Sequence, residues 1–331
     1  MFTRKLGKSG IEVSALGMGC WAIGGPWTYD DGEHGPHAAG WGQINDEESI
    51  RAIHAGLDLG VNFFDTAANY GAGHSEKILG KALAGRRDQV VIATKFGYLV
   101  DEETRAIVND QTATLGNIRQ DCESSLRRLN TDYIDLYQLH VGDYDPKKAP
   151  AVMQVLEELV AEGKIRWYGW STDDAERARV FAEGEHCTAI QQALSWVIQF
   201  DYAPTLNVCE EFDLASINRG PLAMGLLTGK FQSRDAKLPD DDIRHDWNFQ
   251  EGRVAEIISN FQALREVLTS DGRTPAQGAL GWIWARSQRT IPIPGFKTVA
   301  QVEENAGAME FGPLSDAQTR QIDKVLGRKP A

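Results

Sequence analysis

An eightfold alternation constrains this chain more than any other feature. Short apolar runs at 15–20, 61–65, 90–95, 133–139, 165–170, 188–193, 214–218 and 290–294 are separated by longer amphipathic segments. Runs of this length, rich in β-branched and aromatic residues, read as strands buried on both faces, as in a parallel sheet covered by helices. Eight such strands alternating with helices predict an α/β fold, a single (β/α)8 TIM barrel, and 331 residues suit one barrel with added loops.

The segments between the strands support this. Residues 114–129 place Leu115, Ile118, Cys122, Leu126 and Leu129 three and four apart, a helical face with Thr114 as N-cap. Residues 149–162 carry Val152, Leu156, Leu159 and Val160 on one stripe and stop at Gly163, a C′ glycine. Residues 274–286 open with Thr274 as N-cap and Pro275 at the first helical position. The N-terminal stretch KLGKSGIEVSALG reads as a β-hairpin turning at Lys8–Ser9–Gly10, a cap for the bottom of the barrel. Three long loops follow strands, at 24–43, 97–113 and 231–252, and no Pro/Ser-rich linker divides residues 1–331, so one domain is expected.

The bulk properties exclude several classes. A chain that is 42% hydrophobic and 24% charged can bury a large core. A formal net charge of −13 argues against nucleic acid or an anionic membrane as partner, and leaves room for a local cationic pocket. Cys20, Cys122, Cys187 and Cys209 are far apart and read as free thiols. With no apolar leader and no stretch of membrane-span length, a soluble cytoplasmic protein is expected.

Polar residues end three consecutive strand runs: Asp65 and Tyr70 in VNFFDTAANYG, Lys95 in VVIATKFG and His140 in DYIDLYQLH. In a parallel barrel all C-terminal strand ends open on the face that holds the active site. Taken singly, Tyr70 reads as a rim residue and Lys95 as a surface charge, while a helix cap is the alternative for Asp65 and a structural histidine the alternative for His140. Taken together they read as a proton relay. A phenol is a poor acid, with a reference pKa of about 10. A nearby ammonium, Lys95, lowers that value, and Asp65 holds the ammonium. His140 offers a hydrogen bond to a substrate oxygen. No metal site is expected: of the seven histidines, only His34 and His37 are close in sequence, and both lie in a loop.

These residues carry a resemblance to the aldo-keto reductase family over nearly the whole chain. The most specific pieces are NFFDTAANYGAGHSEKILGKAL (62–83), ATKFG (93–97), SLRRLNTDYIDLYQLH (125–140), GPLAMGLLTGK (220–230) and IPIPGFKTVAQVEENAGA (291–308). The resemblance implies an oxidoreductase using NADP(H), with NAD(H) possible, on a small carbonyl or sugar-like substrate. Asp65, Tyr70, Lys95 and His140 match its catalytic tetrad. It implies that Ser171 and Gln191 hold the carboxamide and that Leu222, Gly225 and Leu227 lie along the pyrophosphate; Arg219, which could stack on the ring or reach the phosphates, and Pro221 join the cofactor-binding set. Gly295, Lys297, Gln301, Glu304 and Asn305 match the adenine-ribose end. Some relatives are cofactor-binding regulatory subunits, the alternative to an enzyme.

Two departures bear on specificity. Arg219 stands where the family often stacks an aromatic ring on the nicotinamide, and Gln301 stands where many members carry an arginine for the 2′-phosphate. Lys297 is then the expected source of positive charge. There is no GxGxxG after the first strand, so a Rossmann mode of binding is not expected. Trp21, Trp27, Tyr29, Trp41, Trp196 and Trp247 are candidates for an aromatic-lined pocket.

Overall fold

The computed structural model describes residues 2–30, 35–108, 114–198, 201–231 and 237–328. All eight expected strands form one parallel sheet: Met18–Gly19, Phe63–Asp65, Val91–Phe96, Ile134–Leu139, Ile165–Ser171, Cys187–Ala193, Ala215–Arg219 and Thr290–Pro292. Their spatial order is their sequence order. The first and last strands meet as well. Gly17 N donates to Pro292 O and Gly19 N to Pro294 O, both at 3.0 Å, which closes the sheet on itself. The seam needs glycine, because a Cβ on Gly19 would lie 2.6 Å from the Ile293 carbonyl oxygen.

Closure divides the core in two. Inward-facing residues of alternate parity, among them Phe63, Val91, Leu136, Ala189, Ile217 and Ile291, fill the barrel. Residues of the other parity, such as Tyr137, Leu139, Tyr168 and Ile190, pack against the helices. The expected hairpin, Thr3–Lys5 with Glu12–Ser14, joins the inner cluster through the fully buried Leu6 and Val13. Burying two such side chains contributes roughly 1.5–3 kcal/mol each. Gly7, at φ 53°, sits where a Cβ would be 2.1 Å from Thr188 O, so the hairpin plugs the N-terminal end at close range.

The helices largely follow their sequence signals. Thr274 accepts from Gln277 N and Gln277 returns a bond to Thr274 N, a reciprocal cap on the helix Pro275–Trp284. Gly163, at φ 73°, follows the helix Ala149–Ala161. Thr114 differs from expectation: it is the first residue of the helix Thr114–Leu129, and its hydroxyl donates to Gly97 O.

The loops differ more. Two of the long loops contribute strands to a second, small sheet in the order His37–Ala38, Thr28–Asp30, Ala106–Val108, Leu99–Asp101. Its inner side brings Trp27, Ile107 and Val100 against Trp21, Tyr29 and Tyr98, a roof on one flank of the barrel mouth. Parts of all three loops, at 31–34, 109–113 and 232–236, lie outside the described residues, and so does His34. No described helix is long and apolar enough to cross a membrane.

Candidate active site

The polar centre sits at the C-terminal strand ends. Lys95 Nζ donates to Asp65 Oδ1 at 2.5 Å, to Thr66 O at 2.8 Å and to the Tyr70 hydroxyl at 3.3 Å. Asp65 and Lys95 are about 1% exposed, whereas the Tyr70 and His140 residues are partly open to the mouth. The register of the sheet makes this arrangement. Asp65 pairs with Ala93, so Lys95 lies one pleat further along on the same face, and Gln138 pairs with Lys95 on the next strand. The second oxygen of Asp65 accepts from Gln191 Nε2 at 2.8 Å and Gln138 Nε2 at 3.2 Å.

Tyr70 arrives from a tight loop rather than a strand. Glycines on both sides allow the approach: a Cβ on Gly71, at φ 63°, would lie 2.0 Å from Gly24 O. Arg105 Nη2 donates to Gly24 O at 2.6 Å and more weakly to Gly71 O at 3.4 Å, tying the two loops. Trp21 stacks on Tyr70 with ring centroids 6.0 Å apart, and His140 meets Tyr70 edge-on at 5.8 Å. Tyr98 meets the other edge of His140 at 5.3 Å.

Burial and charge set the protonation states. Burial is the largest influence on Lys95 and acts downward, but Asp65 and Tyr70 overcome it, and the ammonium is held above its usual range. Burial pushes the Tyr70 phenol up, and Lys95 offsets this only in part. The expectation that Lys95 leaves the phenol more acidic than usual is therefore only half met: the ammonium acts in that direction, and desolvation outweighs it. His140 is pushed well below the usual imidazole range by burial, then by the Lys95 and Arg219 charges. It is neutral, a group that can donate one hydrogen bond and accept another.

The residues expected to hold the cofactor sit at the C-terminal ends of the fifth to eighth strands and in the segments that follow them. Ser171 and Gln191 are buried at adjacent strand ends, paired in register. Arg219, at the end of the seventh strand, forms an ion pair with Asp173, whose other oxygen accepts from Ala193 N at 2.7 Å. Pro221, Leu222 and Leu227 are buried, and the chain bends sharply through Ala223, Met224 and Gly225 at φ 46°, 54° and 94°. Gly295 bridges to Gly19 at the seam. Thr298 caps the helix Val299–Phe311, and the Gln301 side chain accepts from Lys297 N at 2.7 Å. Asn305 is buried with its amide 3.5 Å from Gly295 O, and Glu304 uses its carbonyl oxygen to take Gln277 Nε2.

Sequence reasoning missed a cationic cluster between the segments 221–230 and 295–305. Arg244, only 6% exposed, pairs with Asp242 at 2.6 Å, donates to Met224 O at 3.1 Å and lies 4.5 Å over the Trp41 ring. Lys297 Nζ donates to Trp41 O. Burial depresses the Lys230 and Lys297 ammoniums, and Arg244 beside them adds to it. The loop 40–43 and the loop 241–243 are knit into one strap by Ile243 N on Gly40 O at 2.8 Å and Gly42 N on Asp241 O at 3.1 Å. These residues come from distant parts of the chain, and only the fold brings them together. Of the expected aromatic wall, Trp21 reaches Tyr70 directly and Trp41 packs edge-on against Trp21 at 5.3 Å. Trp196 is fully buried in the main core, and Trp247 packs on Phe231 and Phe249.

The profile of the aldo/keto reductase family matches residues 15–326, and the chain belongs to that family. It is 34% identical over 300 residues to the aldo-keto reductase YhdN of Bacillus subtilis, covering 89% of this chain and 85% of the relative. It is 31% identical over 329 residues to the aldo-keto reductase yakc [NADP(+)] of Schizosaccharomyces pombe, covering 97% of this chain and 90% of the relative. Among solved structures, the glycerol dehydrogenase AKR11B4 from Gluconobacter oxydans superposes with a TM-score of 0.81 at 30% identity, covering 98% of this chain and 95% of that one. An aldo/keto reductase from Klebsiella pneumoniae in complex with NADP and acetate superposes at 0.70 and 26% identity, covering 100% and 98%. The chain is thus a carbonyl oxidoreductase by family.

Proposed function

We propose that this protein reduces small aldehydes or ketones with NADPH, or oxidises the matching alcohols with NADP+, and that Tyr70 moves the proton. One observation carries the reading: a single buried ammonium, Lys95 Nζ, is shared between Asp65 at 2.5 Å and the Tyr70 hydroxyl at 3.3 Å. Such a lysine keeps its charge because of the carboxylate, and that charge favours the phenolate left after proton transfer.

The cationic cluster supports a nicotinamide dinucleotide phosphate as the cofactor. Three cations, Lys230, Arg244 and Lys297, crowd together around Asp242, which Arg244 already occupies. Such crowding is unfavourable alone and suits a polyanion. Lys230 and Arg244, with the backbone at Leu222, Gly225 and Leu227, would take the pyrophosphate. Lys297, Gln301, Glu304 and Asn305 would take the adenine-ribose end at a helix N-terminus. Ser171 and Gln191 would hold the carboxamide, and Arg219, Pro221 and the seventh strand would flank the ring. The bound cofactor supplies the hydride that goes to the carbonyl carbon.

The chain's own residues supply the rest. Neutral His140 orients the carbonyl oxygen toward Tyr70. Tyr70 gives its proton to that oxygen as negative charge builds on it, and Lys95 stabilises the phenolate that remains. Trp21 and Tyr98 wall the mouth and exclude water. Arg219 is held by Asp173 and keeps a positive field beside His140. The test is a panel of aldehydes and ketones with NADPH consumption followed by absorbance. Turnover of any member, saturating in NADPH, supports an enzyme. Tight NADPH binding with no turnover across the panel, in either direction, favours the regulatory-subunit reading instead.

A further inference from the structure

Gln138 is an unexpected residue for its place. It lies in the middle of the barrel strand Ile134–Leu139, is 0% exposed, and shares the inward parity of Leu136, which packs in the barrel core. A buried amide is costly unless its polar atoms are bonded. Gln138 meets that cost inside the polar centre: Nε2 donates to Asp65 Oδ2 at 3.2 Å, and Oε1 accepts from Gln191 Nε2 at 3.4 Å. Gln191 Nε2 also donates to Asp65 Oδ2, at 2.8 Å.

The chemistry of these groups fixes their orientation. An ionised carboxylate only accepts, so both glutamines must turn their NH2 groups toward Asp65. Reversed amides would set carbonyl oxygens against the carboxylate. The NH2 of Gln191 is then used twice, on Asp65 and on Gln138, while no described residue donates to its Oε1. That free acceptor is what a carboxamide N–H requires.

We infer that Gln138 is a positioning residue that locks Gln191 and Asp65 together, so that the nicotinamide seat and the proton relay are aligned through one carboxylate. The inference rests on the function proposed above. Gln138 touches neither cofactor nor substrate. It holds Oδ2 of Asp65 while Oδ1 holds Lys95, and it keeps the acceptor of Gln191 facing the cleft.

The experiment uses the full chain with Gln138→Met, Gln191→Met and the double variant. Dissociation constants are measured for NADPH and for 2′-phospho-ADP-ribose, which lacks the nicotinamide, alongside the pH–rate profile. Loss of hydrogen bonds to a charged group predicts NADPH binding weaker by about tenfold in Gln138→Met. Binding of 2′-phospho-ADP-ribose should stay within about twofold, and the alkaline limb of the rate profile should move. The double variant should bind NADPH about as weakly as Gln191→Met alone, since Gln138 acts through Gln191. Three results overturn the inference: wild-type NADPH affinity and pH profile in Gln138→Met, equal loss of both ligands, or fully multiplicative losses in the double variant. A wild-type chain that neither binds NADPH nor turns over a carbonyl overturns the proposed function itself, and the inference with it.

Discussion

Each oxygen of Asp65 has its own partners: Oδ1 takes the Lys95 ammonium, Oδ2 the two amides. The pair is buried, so removing one partner leaves an uncompensated charge at a cost of roughly 3–5 kcal/mol. Lys95→Met should therefore lower the melting temperature as well as the rate. It also removes the main influence that pulls the Tyr70 phenol down, so the phenol rises further. The sign follows from the acid role. The protonated phenol is the active form, so activity holds at low pH and falls as pH passes the phenol pKa. That limb lies above the usual tyrosine range in the wild type and moves higher still in Lys95→Met. Asp65→Asn should slow the reaction more weakly, since Lys95 remains, and should move the alkaline limb the other way, because the Asp65 charge pushes the Tyr70 phenol up. The two losses in log rate should be much less than additive, since both act on Tyr70. Full additivity with an unmoved alkaline limb assigns the pair a structural role only. The meeting of Asp65, Tyr70, Lys95 and His140 could be read from the sequence because each lies at a strand end or in the loop after it, and strand parity carries over directly to the barrel mouth. Gln138 could not be read so, because an inward glutamine in an apolar run looks like any buried strand residue until Asp65, 73 positions away, is seen beside it.

At the scale of elements, the eight barrel strands and the capped helices could be read because their signals are local. Pro275 after Thr274, or a run such as VVIATKF, specifies its element without help from elsewhere. The small roof sheet gave no such signal. Its strands are two or three residues long and pair across long intervals, as Thr28 does with Ala106. The strap was hidden for the same reason: Trp41 and Arg244 meet only after the barrel closes. This strap makes a prediction of its own. Arg244→Ala should weaken NADPH and NADH by a similar factor, on the order of tenfold for loss of a charge-assisted contact, because both cofactors carry the pyrophosphate. Lys297→Ala should weaken NADPH more than NADH, since only NADPH brings a 2′-phosphate to the helix N-terminus after Thr298. Titration of both variants with both cofactors checks the assignment. Swapped selectivities would exchange the two roles, and unchanged affinities would remove both residues from the cleft.

Across the whole molecule, hydrophobic work and chemical work occupy opposite ends of one barrel. The hairpin closes the N-terminal end with Leu6 and Val13, while the C-terminal end gathers buried charge that is affordable only because each group is partnered. A net charge of −13 coexists with a local cationic cluster, in which Lys230, Arg244 and Lys297 crowd around Asp242. The central claim is that Tyr70 delivers the proton from this arrangement. Its most direct measurement is the single-turnover rate of NADPH oxidation by wild type and Tyr70→Phe, with a carbonyl the wild type accepts. The account predicts a rate ~10²–10⁴-fold lower in the variant, with NADPH affinity unchanged because the ring and its stacking on Trp21 remain. A Tyr70→Phe protein that turns over at the wild-type rate would contradict it.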